Sequence, residues 1–232
     1  MKVFNGFTPA APEFFWDLAF NNEREWFAAH KEEFEQTVNR PFKALAAETF
    51  ALVEERWPRE DFQIHVSRIY RDARRLFGRG PYKDHLWFSI QLGNQRENRP
   101  MFWFEVGKES YSYGVGFWDA TPAFAAAWRA YIEEHTAAFE EMLEALGPCR
   151  LWGGEYARPK GHISPRIDPW YNRKQVSAGY EFGCGGDLYT AALPSVLADA
   201  YEGLMPLYRL LFDLCRQVEE EENRKMYGFS YT

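Results

Sequence analysis

Between Phe62 and Trp118 the chain carries four short segments, residues 62–70, 86–92, 101–106 and 110–118, rich in aromatic and β-branched side chains. Polar or glycine-containing turns separate them, and this pattern predicts strands in an antiparallel meander. Alternation gives Leu86, Phe88, Ile90 and Leu92 one face and Trp87, Ser89 and Gln91 the other. In the next segment Phe102, Phe104 and Val106 oppose Met101, Trp103 and Glu105. Gly114 and Gly116 strip side chains from one face of the last segment, so something approaches the backbone there.

Helical periodicity brackets this block on both sides. Thr8-Pro9 reads as an N-cap with proline at the first helical position, followed by an apolar face of Phe14, Phe15 and Leu18. Asn21-Asn22 breaks that helix, and Asn22 with Glu25 has the spacing of a capping box for a second, carrying Phe27, His30, Phe34 and Val38. Pro41 opens a third that ends near Trp57-Pro58. Thr121-Pro122 starts a long amphipathic helix that Gly147-Pro148 stops, with His135 on its apolar face as a hydrogen-bonded core histidine. Asp168-Pro169 reads as the start of a brief helix and 176–183 as a last strand. From Asp187 to about Lys225 the chain is helical again, interrupted near Pro194 and Pro206. The fold class is α+β, a central, mainly antiparallel sheet flanked by N-terminal, middle and C-terminal helices. With no repeat or linker in 232 residues, residues 1–232 read as a single domain.

A net charge of −7 argues against duplex nucleic acid and membrane surfaces, which require a positive field. The charge is uneven. Residues Ile64 to His85 hold Arg68, Arg71, Arg74, Arg75, Arg79 and Lys83 against Asp72 and Asp84, a local +4 that leaves −11 elsewhere. No run approaches the roughly 18 apolar residues of a membrane span, and Met1 to Pro9 lacks the apolar core of a signal peptide. Cys149, Cys184 and Cys215 are odd in number and form no CxxC pair, which suits reduced thiols in the cytoplasm.

No Walker A loop, HExxH, GxSxG or CxxC occurs, and Gly78-Arg79-Gly80 is too short for a dinucleotide fingerprint. No histidine pair has ligand spacing on one helix, so neither a metal nor a cofactor is expected. The candidate site is the arginine strand and the loop after it. Alternation puts His65, Ser67, Ile69 and Arg71 on one face and Ile64, Val66, Arg68 and Tyr70 on the other. Arg68, Arg71, Arg79 and Lys83 are the anion-binding candidates, because guanidinium forks match phosphate and carboxylate oxygens and lysine adds a point charge. Tyr82 would shape the pocket, Lys160 would reach in from a distant loop, and Asp72 or His85 would handle protons. The competing reading is that Arg68 and Arg71 pair with Asp72, Glu25 or another carboxylate and lock the N-terminal helices to the sheet. Trp87, Trp103 and Trp118 similarly read either as a stacking platform or as a face covered by helix 122–146.

Three strings, Asn21-Asn22-Glu23-Arg24-Glu25-Trp26-Phe27 with His30-Lys31, Ser67-Arg68-Ile69-Tyr70-Arg71-Asp72, and Pro81-Tyr82-Lys83, stand in order, followed by Pro159-Lys160-Gly161. Their conjunction resembles the bacterial family of domain of unknown function 2461 over nearly the whole chain. The chain departs from the family pattern at one point. Arg79 stands where the family has a lysine two residues before Pro-Tyr-Lys, and the preceding stretch reads Arg74-Arg75-Leu76-Phe77. The resemblance implies one domain and brings no established activity with it. Two functional expectations therefore stand side by side. One is a cytoplasmic domain that binds, and in one version processes, a phosphorylated or carboxylated small molecule. The other is a non-catalytic module for an acidic protein segment or single-stranded RNA, with a flat or convex basic surface and Trp87 or Trp103 exposed.

Overall fold

The alternating segments form strands β1 (Phe62–Val66), β2 (His85–Leu92), β3 (Met101–Gly107) and β4 (Ser110–Gly116). The structure is a computed structural model that describes residues 3–72, 74, 76, 78–94, 98–117 and 119–228; Arg75, Phe77 and Trp118 lie outside the described residues. With β5 (Arg150–Trp152) and β6 (Ser177–Gly183) these strands make a six-stranded antiparallel sheet in the order β1-β2-β3-β4-β6-β5. Ile64 faces Ile90 and Val66 faces Phe88 across β1 and β2, while Leu151 faces Ala178 across β5 and β6. The fold is α+β, with helices flanking the sheet.

The helices are α1 (Ala10–Phe20), α2 (Arg24–Ala29), α3 (Lys31–Phe34), α4 (Arg40–Arg56), α5 (Pro122–Glu134), α6 (Thr136–Leu146), α7 (Asp168–Tyr171) and α8 (Leu193–Gly228). Several details depart from the expectations. Helix α1 begins one residue later than Thr8-Pro9 suggests, with Pro9 at the cap position and no side-chain cap. The α2 cap position is Glu23, because the Asn22 amide is engaged elsewhere. Pro41 does not open a separate helix. A π turn, Glu35–Asn39, joins α3 to α4, with the Arg40 N–H reaching back to the Glu35 carbonyl. The wider turn sits just ahead of Pro41, which has no N–H to donate and whose ring crowds a regular helix. The predicted helix over 122–146 is two helices broken at His135, which is exposed rather than buried and stacks on Tyr131 at 4.5 Å. Thr121 does cap α5, accepting from the Phe124 N–H at 3.1 Å. Helix α8 runs through Pro206, and Pro194 falls in its first turn, where the missing N–H has no intrahelical partner to lose. No helix among the described residues is long and apolar enough to cross a membrane.

The chain divides into two compact units. The first holds the described residues through Gly93, with Trp103–Tyr113 and Glu181–Ala200; the second holds Asn94–Phe102, Gly114–Tyr180 and Tyr201 onward. In the first, Phe42 of α4 packs on Phe88 and Phe104, which shows that their faces of β2 and β3 turn toward α4. Phe14 of α1 meets Trp26, Phe27 and Phe34. Gly6 has φ +94°, and a Cβ there would press on the Tyr189 carbonyl, so only glycine fits this crossing. In the second unit, Trp128 donates its indole N–H to the Trp170 carbonyl at 3.1 Å, and Phe102 stacks against Tyr201 and Tyr208. The missing side chains at Gly114 and Gly116 leave room for the close approach of the neighbouring strand β6, since a Cβ at either would fall well inside contact distance of Ala178 or Ser177.

Candidate functional site

Beyond Val66 the β1–β2 ladder changes character. Ser67 donates its N–H to the Trp87 carbonyl at 2.9 Å, and its buried hydroxyl, rather than its carbonyl, accepts the Trp87 N–H at 3.0 Å. The chains meet again where Tyr70 bridges Tyr82, with the Lys83 N–H on the Ile69 carbonyl and the Arg71 N–H on the Pro81 carbonyl. Five residues separate Tyr82 from Phe88, against three between Val66 and Tyr70, so the Lys83–Trp87 side is bulged. Ser67 and Ile69 remain buried, while Arg68 and Tyr70 point outward.

This geometry separates the two arginines of Ser67-Arg68-Ile69-Tyr70-Arg71. Arg71 is largely buried, donates Nε to the Tyr82 carbonyl at 2.7 Å, and sets Nη2 3.4 Å from Asp84 Oδ1. Its role is to fasten the Pro81-Tyr82-Lys83 turn to the end of β1. Asn22 fastens the same turn from the helical side, donating Nδ2 to the Tyr82 carbonyl and accepting the Tyr82 N–H, each at 3.0 Å. Its side-chain amide thus pairs with one residue as a neighbouring strand would. A Cβ on Gly80 would collide with Asn22. The Tyr82 ring is buried, stacked on Phe27 at 4.1 Å and tilted against Tyr70 at 5.3 Å.

Arg68 has a different setting. It is exposed and makes no hydrogen bond or ion pair among the described residues. It lines an open groove of about 430 Å³ together with Lys31, Lys43, Glu35, Asn39, Ser67 and the rings of Phe27, Phe34 and Tyr70. Lys31 and Lys43 are likewise exposed and without an ion pair among the described residues. Both oxygens of the groove's carboxylate, Glu35, accept from Asn39 Nδ2, at 2.9 and 2.8 Å, across the π turn.

The surrounding charges reinforce this positive character. Burial, then Arg71 and Arg68, hold the Lys83 ammonium below its usual range, with Glu105 opposing; the ammonium lies 5.8 Å from the centre of the Trp87 ring. Burial, then Lys83 and Arg68, lower the His65 imidazole. At Asp84 burial alone would raise the carboxyl, but its own backbone N–H, His85 and Lys108 outweigh burial and hold it low.

The remaining candidates are spread out. Asp72 binds Arg74, accepting from its backbone N–H at 3.0 Å and from its guanidinium at 3.1 and 2.9 Å. His85 opens β2 with Nδ1 3.3 Å from Asp84 Oδ1. Arg79 is exposed in the turn, its N–H on the Leu76 carbonyl. Lys160 belongs to the second unit, its backbone N–H on Asn172 Oδ1 and its ammonium over the Tyr156 ring at 4.7 Å. Asp72, His85, Arg79, Tyr82, Lys83 and Lys160 do not line the groove. Trp87 and Trp103 are half-buried. Sequence reasoning singled out neither Lys43 nor the Glu35–Asn39 pair, and named Lys31 only as part of a string.

An α+β protein whose first unit presents a groove with three cations that have no carboxylate partner among the described residues is the class that this fold and site define. The family described as "Conserved hypothetical protein (DUF2461)" matches residues 10–209, and the chain belongs to it. The groove residues and the Asn22–Tyr82 clasp all fall inside the matched span. No curated protein matches the chain.

Proposed function

We propose that the protein binds a phosphorylated or carboxylated small molecule in the cytoplasm, through the groove that Lys31, Lys43 and Arg68 line. The observation that carries this reading is the absence, among the described residues, of any carboxylate paired with these three side chains. Three like charges around one concavity repel each other when it is empty. An anion replaces that repulsion with charge-assisted hydrogen bonds, including the two-pronged contact a guanidinium makes. The volume, about 430 Å³, lies within the range of small-molecule sites. The three free thiols, Cys149, Cys184 and Cys215, suit a reducing compartment.

The reading is one of binding. Asp72 is held by Arg74 and His85 by Asp84, and the hydroxyl of Ser67, which lines the groove, accepts the Trp87 N–H. An acidic peptide or an RNA strand would use the same cations, but Trp87 and Trp103, the rings expected to be exposed for that role, are half-buried and do not line the groove.

Thermal denaturation in sulfate, phosphate and small carboxylates at constant ionic strength tests the proposal. An anion at 100 times its Kd adds about 2.7 kcal/mol to the native state. That is a rise in Tm of about 5–10 °C for a chain of this size. The rise should disappear in the Lys31→Ala/Lys43→Ala/Arg68→Ala variant. An equal rise in that variant would place the anion elsewhere and sink the proposal.

A further inference from the structure

The groove is much larger than the five heavy atoms of a phosphate, and its lining is divided by chemistry. Lys31, Lys43 and Arg68 supply charge. The exposed ring of Tyr70 supplies apolar surface that no anion would use, above Phe27, Phe34 and Ile69, which are almost wholly buried. Tyr70 is 57% exposed, its hydroxyl has no hydrogen-bond partner among the described residues, and its ring rests against Phe27 at 6.1 Å and Tyr82 at 5.3 Å. Those two rings are themselves stacked 4.1 Å apart. The tyrosine is thus supported from beneath by a fixed aromatic pair while much of its own surface faces solvent. An aromatic ring left exposed beside unpaired cations suits a ligand with a flat apolar body joined to an anion. The body gains offset or edge contacts with the ring, and the anion gains the charges.

Building on the anion-binding reading above, we infer that the groove takes an aryl or heteroaryl phosphate or carboxylate, its anionic group among Lys31, Lys43 and Arg68 and its ring against Tyr70. Tyr70 is then the residue that selects the ligand's body, and Arg68 a residue that holds its charge. Their positions two apart on the outward face of one extended segment put the two recognition elements side by side.

Titration calorimetry at fixed ionic strength tests this with five probes: inorganic phosphate, phenyl phosphate, butyl phosphate, acetate and benzoate. Wild type is compared with Arg68→Ala, Tyr70→Ala and Tyr70→Phe. All three substitutions replace exposed side chains, and melting curves check that each variant is folded. The expected result is that phenyl phosphate binds at least tenfold more tightly than inorganic phosphate or butyl phosphate, and benzoate more tightly than acetate. Tyr70→Ala should abolish that advantage and leave inorganic phosphate unchanged, while Tyr70→Phe keeps it. Arg68→Ala should weaken every anion about tenfold. Equal binding of phenyl and inorganic phosphate, or an aryl advantage that survives in Tyr70→Ala, overturns the ring inference and leaves the anion reading standing. A preference for butyl over phenyl phosphate would replace the flat body with an aliphatic one and also overturns it. Anion binding untouched by Arg68→Ala, or no binding of any probe, overturns both.

Discussion

The basic side chains of residues 66–85 and those of residues 129–173 meet different partners. In the second unit several cations are absorbed by the loops around them. Arg173 donates to the Gly153 carbonyl at 2.8 Å, the Pro169 carbonyl at 3.0 Å and Glu155 at 3.2 Å. Arg129 reaches the Tyr156 hydroxyl at 3.1 Å, and His162 pairs with Asp168. The carbonyl contacts explain how a stretch almost without regular structure between β5 and α7 is held. In the first unit Arg71 serves the same bracing purpose, but Arg68, Lys31 and Lys43 make no hydrogen bond or ion pair among the described residues. A cation's function is therefore read from its acceptors: a guanidinium spending its N–H groups on backbone carbonyls is architecture, and one that spends none is available to a ligand.

The sharpest way to break that division is to remove a member of each group. Arg71→Ala leaves the buried Tyr82 carbonyl short of a donor and removes a cation beside Asp84. It should lower stability by about 2–3 kcal/mol, or about 5–10 °C in Tm. Arg173→Ala, which strips two backbone carbonyls of a donor, should fall in the same range. Arg68→Ala should stay within about 0.5 kcal/mol of wild type. Denaturant melts of the three settle the matter, and an Arg68→Ala loss as large as that of Arg71→Ala would erase the distinction.

A smaller loss tests whether the Pro81-Tyr82-Lys83 turn depends on the N-terminal helices. Asn22→Ala deletes both hydrogen bonds to Tyr82 but leaves the carbonyl its contact with Arg71, so chiefly the Tyr82 N–H is orphaned. A loss of about 1–2 kcal/mol is expected. Hydrogen exchange at the Tyr82 amide should speed up in step with that loss. An amide as protected as before would show that Asn22 contributes little to the turn.

Much of this was legible before any coordinates. The strand block was, because strands alternate their side chains between two faces, and Phe88, Phe102, Phe104 and Val106, each on one assigned face of its strand, are all fully buried, although Ser89 and Gln91 on the other face of β2 are buried as well. The same alternation put Arg68 and Arg71 on opposite faces, which is why one is exposed and the other is not. Asn22 was not legible, because one residue type both caps helices and mimics a strand backbone, and only a partner 60 residues away decides between them. Lys43 was hidden by the π turn. At about 100° per residue, twelve residues of regular helix set Lys31 and Lys43 about 120° apart. One inserted residue takes back about 100°, leaving both on one face. A sequence pattern read at a constant 3.6-residue period misses such a site.

The acid limb of stability offers a finer test. Asp84 has a folded pKa below its ordinary value, so its contribution is fully present above the ordinary carboxylate range and is lost as pH falls through the folded value. The gap in stability between wild type and Asp84→Asn should therefore be widest near neutrality. It should shrink as pH drops below about 4. A gap independent of pH would mean that the carboxylate's charge is not what Arg71, His85 and Lys108 respond to, and Arg71 would then be held by the Tyr82 carbonyl alone.

The smallest effect, and the most direct on the unpaired cations, is the titration of His65. Burial lowers its pKa first, and Lys83 and Arg68 lower it further. Between the depressed folded value and the ordinary one the unfolded chain binds more protons, so in that window stability rises with pH. Arg68→Gln removes one source of repulsion but not the burial, so the pKa should move only part of the way back toward 6.5. An anion seated beside Arg68 acts in the same direction, since it screens the charge rather than deleting it. Proton NMR of the His65 ring, with phosphate and without, should show an upward move in wild type and a much smaller one in Arg68→Gln. A phosphate response of equal size in both would mean that the anion reaches His65 through Lys83 and not through Arg68, and the free cation that matters would then be the lysine over Trp87.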